Sequence, residues 1–187
     1  MQNDHEAYYH ALYRVATLVA SSLDLNKTLD SVVHSVAEAM SARACALRLL
    51  DKQGKVLELV ASVGLSDRYL NKGPVEVVAS SIDREALTGK VVSIGDVAKD
   101  TRLQYPEELV REGISSVLCA PLIRHDHSIG VLRVYTGERH TFEADEIEFL
   151  EALADICALS IENARMYNAL QHTYHSTIEA LWGATPA

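Results

Sequence analysis

Long apolar runs are missing from this 187-residue chain. No stretch approaches the roughly 18 consecutive apolar residues that a membrane-spanning helix needs. Paired cysteines are missing too. Cys45, Cys119 and Cys157 are odd in number, widely spaced and without a C-x-x-C pair, which argues against a disulfide framework and a cysteine zinc site. Basic clusters are absent and the formal net charge is −9, so no concentrated cationic surface awaits phosphates and nucleic acid is not expected as a partner. The start, MQNDHEAYYH, is acidic and polar, unlike a secretory leader. A cytoplasmic chain without membrane contact is the expectation. Neither an internal repeat nor a low-complexity segment appears, and the length suits one domain with a proper core.

What is present is periodic. Tyr8, Leu12, Val15 and Val19 recur at three and four residues, one face of a helix. Asn26 is positioned to cap a second helix, with Leu29, Val32, Val33, Val36 and Met40 on its apolar side. ACALRLLD (44–51) and KVLELVAS (55–62), joined across DKQG, read as a β-hairpin. Residues 63–114 are mixed. GLSDRYLNKGP is loop-like, a helix is expected over 77–87 before Gly89, VVSI (91–94) is a short strand, and Pro106 and Gly113 bracket a short helix. SSVLCAPLIR (115–124) and SIGVLRVYTG (128–137), joined by HDH, form a second hairpin. A long helix starts near Glu143, with Thr141 as the rival cap and Phe142 and Ile147 placed for a hydrophobic staple. Its first seam is Ile147, Leu150, Ala154, Cys157, Ile161 and Ala164. A second, rotated seam follows: Tyr167, Leu170, Tyr174, Ile178 and Leu181. Two seams imply two packing partners. Hairpins with flanking helices define an α+β fold with an antiparallel sheet.

Four segments together resemble a GAF domain: ACALRLLDKQGKVLELVASVGL, LTGKVVSIGDVAKDTR, EGISSVLCAPLIRHDHSIGVLRVY and FEADEIEFLEALADICALSIENARMY. The resemblance covers roughly 22–167. It implies a central antiparallel sheet of five or six strands with the N- and C-terminal helices on one face. The segment 63–114 would lie over the other face as a lid on a pocket. Residues 1–21 and 167–187 would then be helical extensions of a domain over 22–166. A sensory role in a bacterial-type regulator is implied, but relatives of one fold differ widely in ligand.

Alternation along the strands sorts the side chains. Leu47 and Leu49, Leu57 and Leu59, and Leu132 and Val134 should face the helices. Arg48, Glu58 and Arg133 should face the lid as a cross-strand row. Two guanidiniums against one carboxylate leave a positive charge that needs a partner. Asp96, Asp100 or Glu76 from the lid, or the carboxylate or phosphate of a small molecule, would serve. A salt-bridged sheet face without ligand is the plainer reading. The candidate pocket comprises Arg48, Glu58, Arg133, Tyr135, Val117 and Cys119 from the sheet, and Val78, Ile82, Asp96, Tyr105 and Leu109 from the lid. Alternation leaves open which way Cys119 points.

Sharper functions fit less well. Asn71, Lys72, Phe142, Asp145 and Glu146 resemble the Asn-Lys…Phe…Asp-Glu signature of cyclic-nucleotide-binding relatives. However, Phe142 and Asp145 are one residue too close, and helix capping explains them. Residues 63–114 hold neither Cys nor His, against an attached bilin or a haem ligand. Free-methionine-sulfoxide-reducing relatives need an exposed thiolate and a resolving thiol. Cys45 and Cys157 should be core, leaving Cys119 alone. No nucleophile–His–Asp order or phosphate-cradling glycine loop appears, so an enzyme is not expected.

The expectation is therefore a module that binds a small molecule of anionic character and signals through paired terminal helices. The homodimer would form through Tyr8, Leu12, Val15 and Val19 of the first helix and through the second seam of the last. Output would pass to a signalling protein in trans, or the chain is a piece of a longer one. No cofactor is assigned. A ligand-free dimerisation module and a thiol-based reductase are the alternatives.

Overall fold

The computed structural model describes the backbone of residues 2–21 and 24–183, and the side chains of 5–21, 24–167 and 169–171. Helices α1 (Gln2–Ser21) and α2 (Leu25–Ala39) precede a hairpin of β1 (Ala44–Leu50) and β2 (Val56–Val63). The lid follows: α3 (Asp67–Leu70), β3 (Val75–Glu76), α4 (Ser81–Ala86), β4 (Val92–Ile94) and α5 (Pro106–Arg111). A second hairpin, β5 (Ser116–Arg124) and β6 (His127–Thr136), leads into α6 (Ala144–Gly183). The six strands form one sheet in the order β3-β2-β1-β6-β5-β4, every neighbouring pair antiparallel.

Local chemistry sets several boundaries. Asp24, not Asn26, caps α2, its carboxylate accepting from Lys27 N at 3.2 Å. Glu143 stands before α6: its carbonyl accepts from Ile147 N, and Glu146 reaches back to Glu143 N at 2.7 Å, half of a capping box. His125 and Asp126 both adopt positive φ (46° and 63°), the geometry of a two-residue type I′ hairpin turn. The fourth helix is shorter than expected, since residues 77–79 form a turn before its N-cap Ser80. One short helix, α3, falls in the stretch expected to be loop, and the two-residue strand β3 follows directly after that stretch.

Each sheet face has its own core. On one side Leu29, Val32, Val33 and Val36 of α2 and Leu150, Leu153, Cys157 and Ile161 of α6 meet Cys45, Leu47, Leu118, Leu132 and Val134. Helix α1 forms an outer layer here and runs parallel to α6. Tyr8 stacks on Phe149 with ring centroids 4.3 Å apart, and Val19 shares a crevice with Ala164 and Tyr167. This corrects one expectation. The Tyr8–Leu12–Val15–Val19 seam is turned inward, with Val15 fully buried, because α2 and α6 together offer it an apolar groove. On the opposite face, Ala44, Ala46, Leu57, Val117, Cys119, Val131 and Tyr135 pack against Tyr69, Ile82, Ala86, Val97 and Leu109 of the lid.

Candidate functional site: a buried cation cluster beneath the lid

Strand alternation brings both arginines to the lid face. Arg133 pairs across the ladder with Ala46 and Cys119, and Arg48 with Val131. The guanidiniums are therefore diagonal neighbours on one side of the sheet. Both are buried, Arg48 5% and Arg133 4% exposed. The expected row with Glu58 does not form. The β1–β2 register slips between Leu47 and Arg48, so Arg48 faces Leu59 and Glu58 faces Leu49. The slip turns Leu57 toward the lid and leaves Glu58 and Leu59 exposed.

The counter-charge comes from α4. Asp83, fully buried, forms an ion pair with Arg133 Nη2, and neither of its oxygens accepts any other hydrogen bond. Arg48 makes one weak contact, Nη1 donating to the Leu57 carbonyl at 3.3 Å. Arg48 Nε, Arg133 Nε and the Tyr135 hydroxyl find no hydrogen-bond partner among the described residues. A third cation approaches from the turn after α3. Lys72 Nζ lies 3.8 Å from the centroid of the Tyr69 ring, donates to the Tyr69 carbonyl at 3.3 Å, and sits 5.6 Å from the Tyr105 ring. Tyr69 in turn meets Tyr135 edge to face at 6.5 Å. Three cations thus gather around the buried Asp83 carboxylate.

Titration reflects this crowding. Burial, reinforced by Arg48 and Arg133, lowers the Lys72 ammonium to about 8, with Asp83 and Glu108 opposing. Burial drives the Tyr69 phenol far upward, as does the neighbouring Tyr135. Cys119 is fully buried on the lid side, and burial pushes its thiol up to about 12 despite the adjacent Arg133. Burial opposes the charge on Arg133, but Asp83, Tyr135, Cys119 and Tyr69 together raise the guanidinium well above its ordinary value, so it stays charged.

A clamp joins α3 to α5. Glu112, at the end of α5, accepts from Ser66 N and Ser66 Oγ, both at 2.6 Å. The same Ser66 caps α3 by accepting from Tyr69 N at 3.2 Å. Arg43 Nε donates to the Glu112 carbonyl at 2.9 Å. This clamp fixes Tyr69, and with it the ring beneath Lys72.

Of the candidate pocket residues, Arg48, Arg133, Tyr135, Ile82, Leu109, Val117 and Cys119 converge on this layer. Tyr105 stands at its rim, its hydroxyl donating to the Pro74 carbonyl at 3.0 Å. Three do not belong. Val78 is 77% exposed because α4 starts three residues later. Glu58 points to solvent. Asp96 pairs with Arg139 at 3.1 Å and Lys99 at 3.8 Å at the far edge of the sheet. Asp100 and Glu76 do not meet the arginines either: Asp100 grips Arg102, and the exposed Glu76 lies on the edge strand. Asp83 is the site group that pattern reading missed, while Lys72 entered only through the poorly fitting cyclic-nucleotide signature. An acid between Ile82 and Ala86 on an inward helix face was the available signal for Asp83.

A separate cleft of about 730 Å³ opens between α1, the end of α2 and the start of α6, lined by His5, His140, Asp145 and Glu146 among others. Among the described residues no group of three or more His, Cys, Asp or Glu side chains could hold a metal. Nor is any described helix long and apolar enough to cross a membrane.

A six-stranded antiparallel sheet with helices behind one face and a lid of short elements over the other defines an α+β domain with a core on each side of the sheet. The sequence profile described as GAF domain matches residues 24–161, and the chain belongs to that family. A methyl sulfide methyltransferase-associated sensor of Methanosarcina acetivorans is 26% identical over 165 residues, covering 86% of this chain and 16% of the sensor. The chain thus spans a small part of that relative's length. The GAF domain of an Acinetobacter phosphoenolpyruvate-protein phosphotransferase has the same fold, with TM-score 0.73 and 25% identity over 84% of this chain and 94% of that one. Free methionine-R-sulfoxide reductase of Neisseria meningitidis shares the fold at TM-score 0.72 and 21% identity, covering 86% and 91%.

Proposed function

We propose that this GAF domain is a sensory module that binds a small, acceptor-rich anion between the sheet and the lid. The observation that carries the reading is the charge imbalance of the cluster: Arg48, Arg133 and Lys72 face the buried Asp83, while the neighbouring Glu108 is already paired with Arg111. The unpartnered polar atoms reinforce it, since Arg48 Nε, Arg133 Nε and the Tyr135 hydroxyl are all hydrogen-bond donors. A planar guanidinium pair suits a carboxylate or phosphate. The ligand would be felt first by α4, through Asp83, and by the Lys72 turn. Transmission to α1 and α6 requires that the ligand bind two helix arrangements with different affinity.

The second element of the proposal is a homodimer. With the first α1 seam spent inside the chain, the surfaces left for a partner are Tyr9 and Tyr13 on α1, each 68% exposed, and Met166, Tyr167 and Leu170 on α6. Tyr174, Ile178 and Leu181, the rest of the expected seam, lie outside the described side chains. Signal would then pass through paired α6 extensions to a partner protein in a cytoplasmic setting.

A ligand-free dimerisation module is the second reading, favoured by the close filling of the lid by Tyr69, Ile82 and Leu109. The reductase reading has less support. All three cysteines are buried, and burial raises their thiols, the opposite of what a nucleophilic thiolate needs. A thermal-shift screen of carboxylates, phosphates, nucleotides and amino acids separates the readings. A ligand that binds only the folded state raises the melting temperature with concentration. Stabilisation by anions that is lost in Arg48→Met supports the sensor. No shift with any anion favours the ligand-free module.

A further inference from the structure

Lys72 differs from an ordinary surface lysine in its setting. It emerges from the turn after α3, half-buried, with its Nζ on the face of Tyr69. Among the described residues it has no carboxylate within ion-pair distance. The charged groups that act on it are Arg48, Arg133, Asp83 and Glu108. Glu108 is itself paired with Arg111 at 2.6 Å, and Asp83 with Arg133. Among the described residues Arg48 has no acid at ion-pair distance.

We propose that Lys72 is a carbon dioxide-binding residue, its Nζ forming a carbamate that Arg48 stabilises. The neutral amine's lone pair forms an N–C bond to CO2. One C=O π pair moves onto oxygen, and the displaced N–H proton leaves to water, so no oxidant or reductant is needed. The side chain passes from a cation to an anion. The local sum of three cations and one carboxylate becomes two cations and two anions. Acylation would leave the lysine neutral, and a protonated imine would leave it cationic. Neither would balance the cluster. The new oxygens are acceptors, and unpartnered buried donors on the same lid face, Arg48 Nε, Arg133 Nε and the Tyr135 hydroxyl, are there to meet them.

Availability of the amine supports the step. An ammonium lowered to about 8 is roughly a tenth neutral at pH 7, against less than a thousandth for an exposed lysine. Half-burial leaves the nitrogen open to a small uncharged gas. The inference shares with the preceding section the premise that the cluster lacks anions, but not that a free anion fills it.

The test exposes the whole chain to ¹³C-labelled bicarbonate and CO2 at about pH 8. Carbamates are then trapped with triethyloxonium ion and located by peptide mass spectrometry. The expected result is label at Lys72 exceeding that at exposed Lys52 by about tenfold or more. Arg48→Met should lower it several-fold, with Arg48→Lys in between. Label at Lys72 no greater than at Lys52, or unchanged in both Arg48 variants, overturns the assignment. Thermal shifts with inorganic phosphate in CO2-purged buffer report separately on free-anion binding. A phosphate shift without Lys72 label removes this inference and leaves the anion reading, and label without a phosphate shift does the reverse.

Discussion

At the scale of residues, the Arg133–Asp83 pair sets two opposite charges against each other inside the fold. A buried pair gains little over well-packed apolar groups, yet removing one partner strands a charge. Asp83→Ala should therefore cost about 3–5 kcal/mol in urea or guanidinium unfolding. The double variant Asp83→Leu with Arg133→Met should be more stable than Asp83→Ala, because no charge is left behind. A double variant at least as unstable as the single one would show that the pair matters through shape instead. Lys72 sets a second expectation. Its folded value, about 8, lies below that of an unfolded lysine, so the unfolded chain binds more protons at intermediate pH. Stability should rise as pH increases from about 8 toward the ordinary lysine value, and Lys72→Met should flatten that rise. Chemical unfolding at several pH values reads both. The thiols give a third. Cys119 and Cys157, each pushed up to about 12 by burial, should resist a disulfide reagent in the native protein and react on denaturation.

At the scale of elements, strand alternation in β1 and β6 placed Arg48, Arg133, Tyr135 and Leu132 on their correct faces from sequence alone. It failed in β2 because a register slip beside Arg48 reverses parity halfway along, and single-sequence alternation cannot register an irregularity that arises between strands. The helical seams of α2 and the first half of α6 were legible for the same reason that they are buried: their period matches a single packing partner. The lid was less legible. Its elements span two to six residues, too short for a periodic signal, and Asp83 becomes a site residue only because α4 docks on the sheet. Gly130 shows how tightly the arginine strand is held. A Cβ there would lie 2.2 Å from the Arg48 carbonyl oxygen, a backbone atom that cannot step aside. Gly130→Ala should destabilise the fold by about 1–3 kcal/mol and displace Arg48, measurable by denaturation and by loss of any anion-dependent thermal shift.

At the scale of the whole molecule, α1 covers its own chain, so a monomer hides more apolar surface than the sequence suggested. The dimer proposal now rests on Tyr9, Tyr13, Met166, Tyr167 and Leu170. Light scattering should give about twice the chain mass of 20.5 kDa. Replacing Met166 and Leu170 by Ser should return the single-chain value without lowering the melting temperature by more than a few degrees. The central claim is that the cluster beneath the lid is short of negative charge and takes it from an anion. Isothermal titration of inorganic phosphate and malonate, at low ionic strength and near pH 7, tests that most directly, with wild type beside Arg48→Met and Lys72→Met. Saturable binding that weakens in both variants, and that weakens for wild type as Lys72 loses its proton above about pH 8, is the predicted result. No heat of binding, or heats equal in all three proteins, would contradict it.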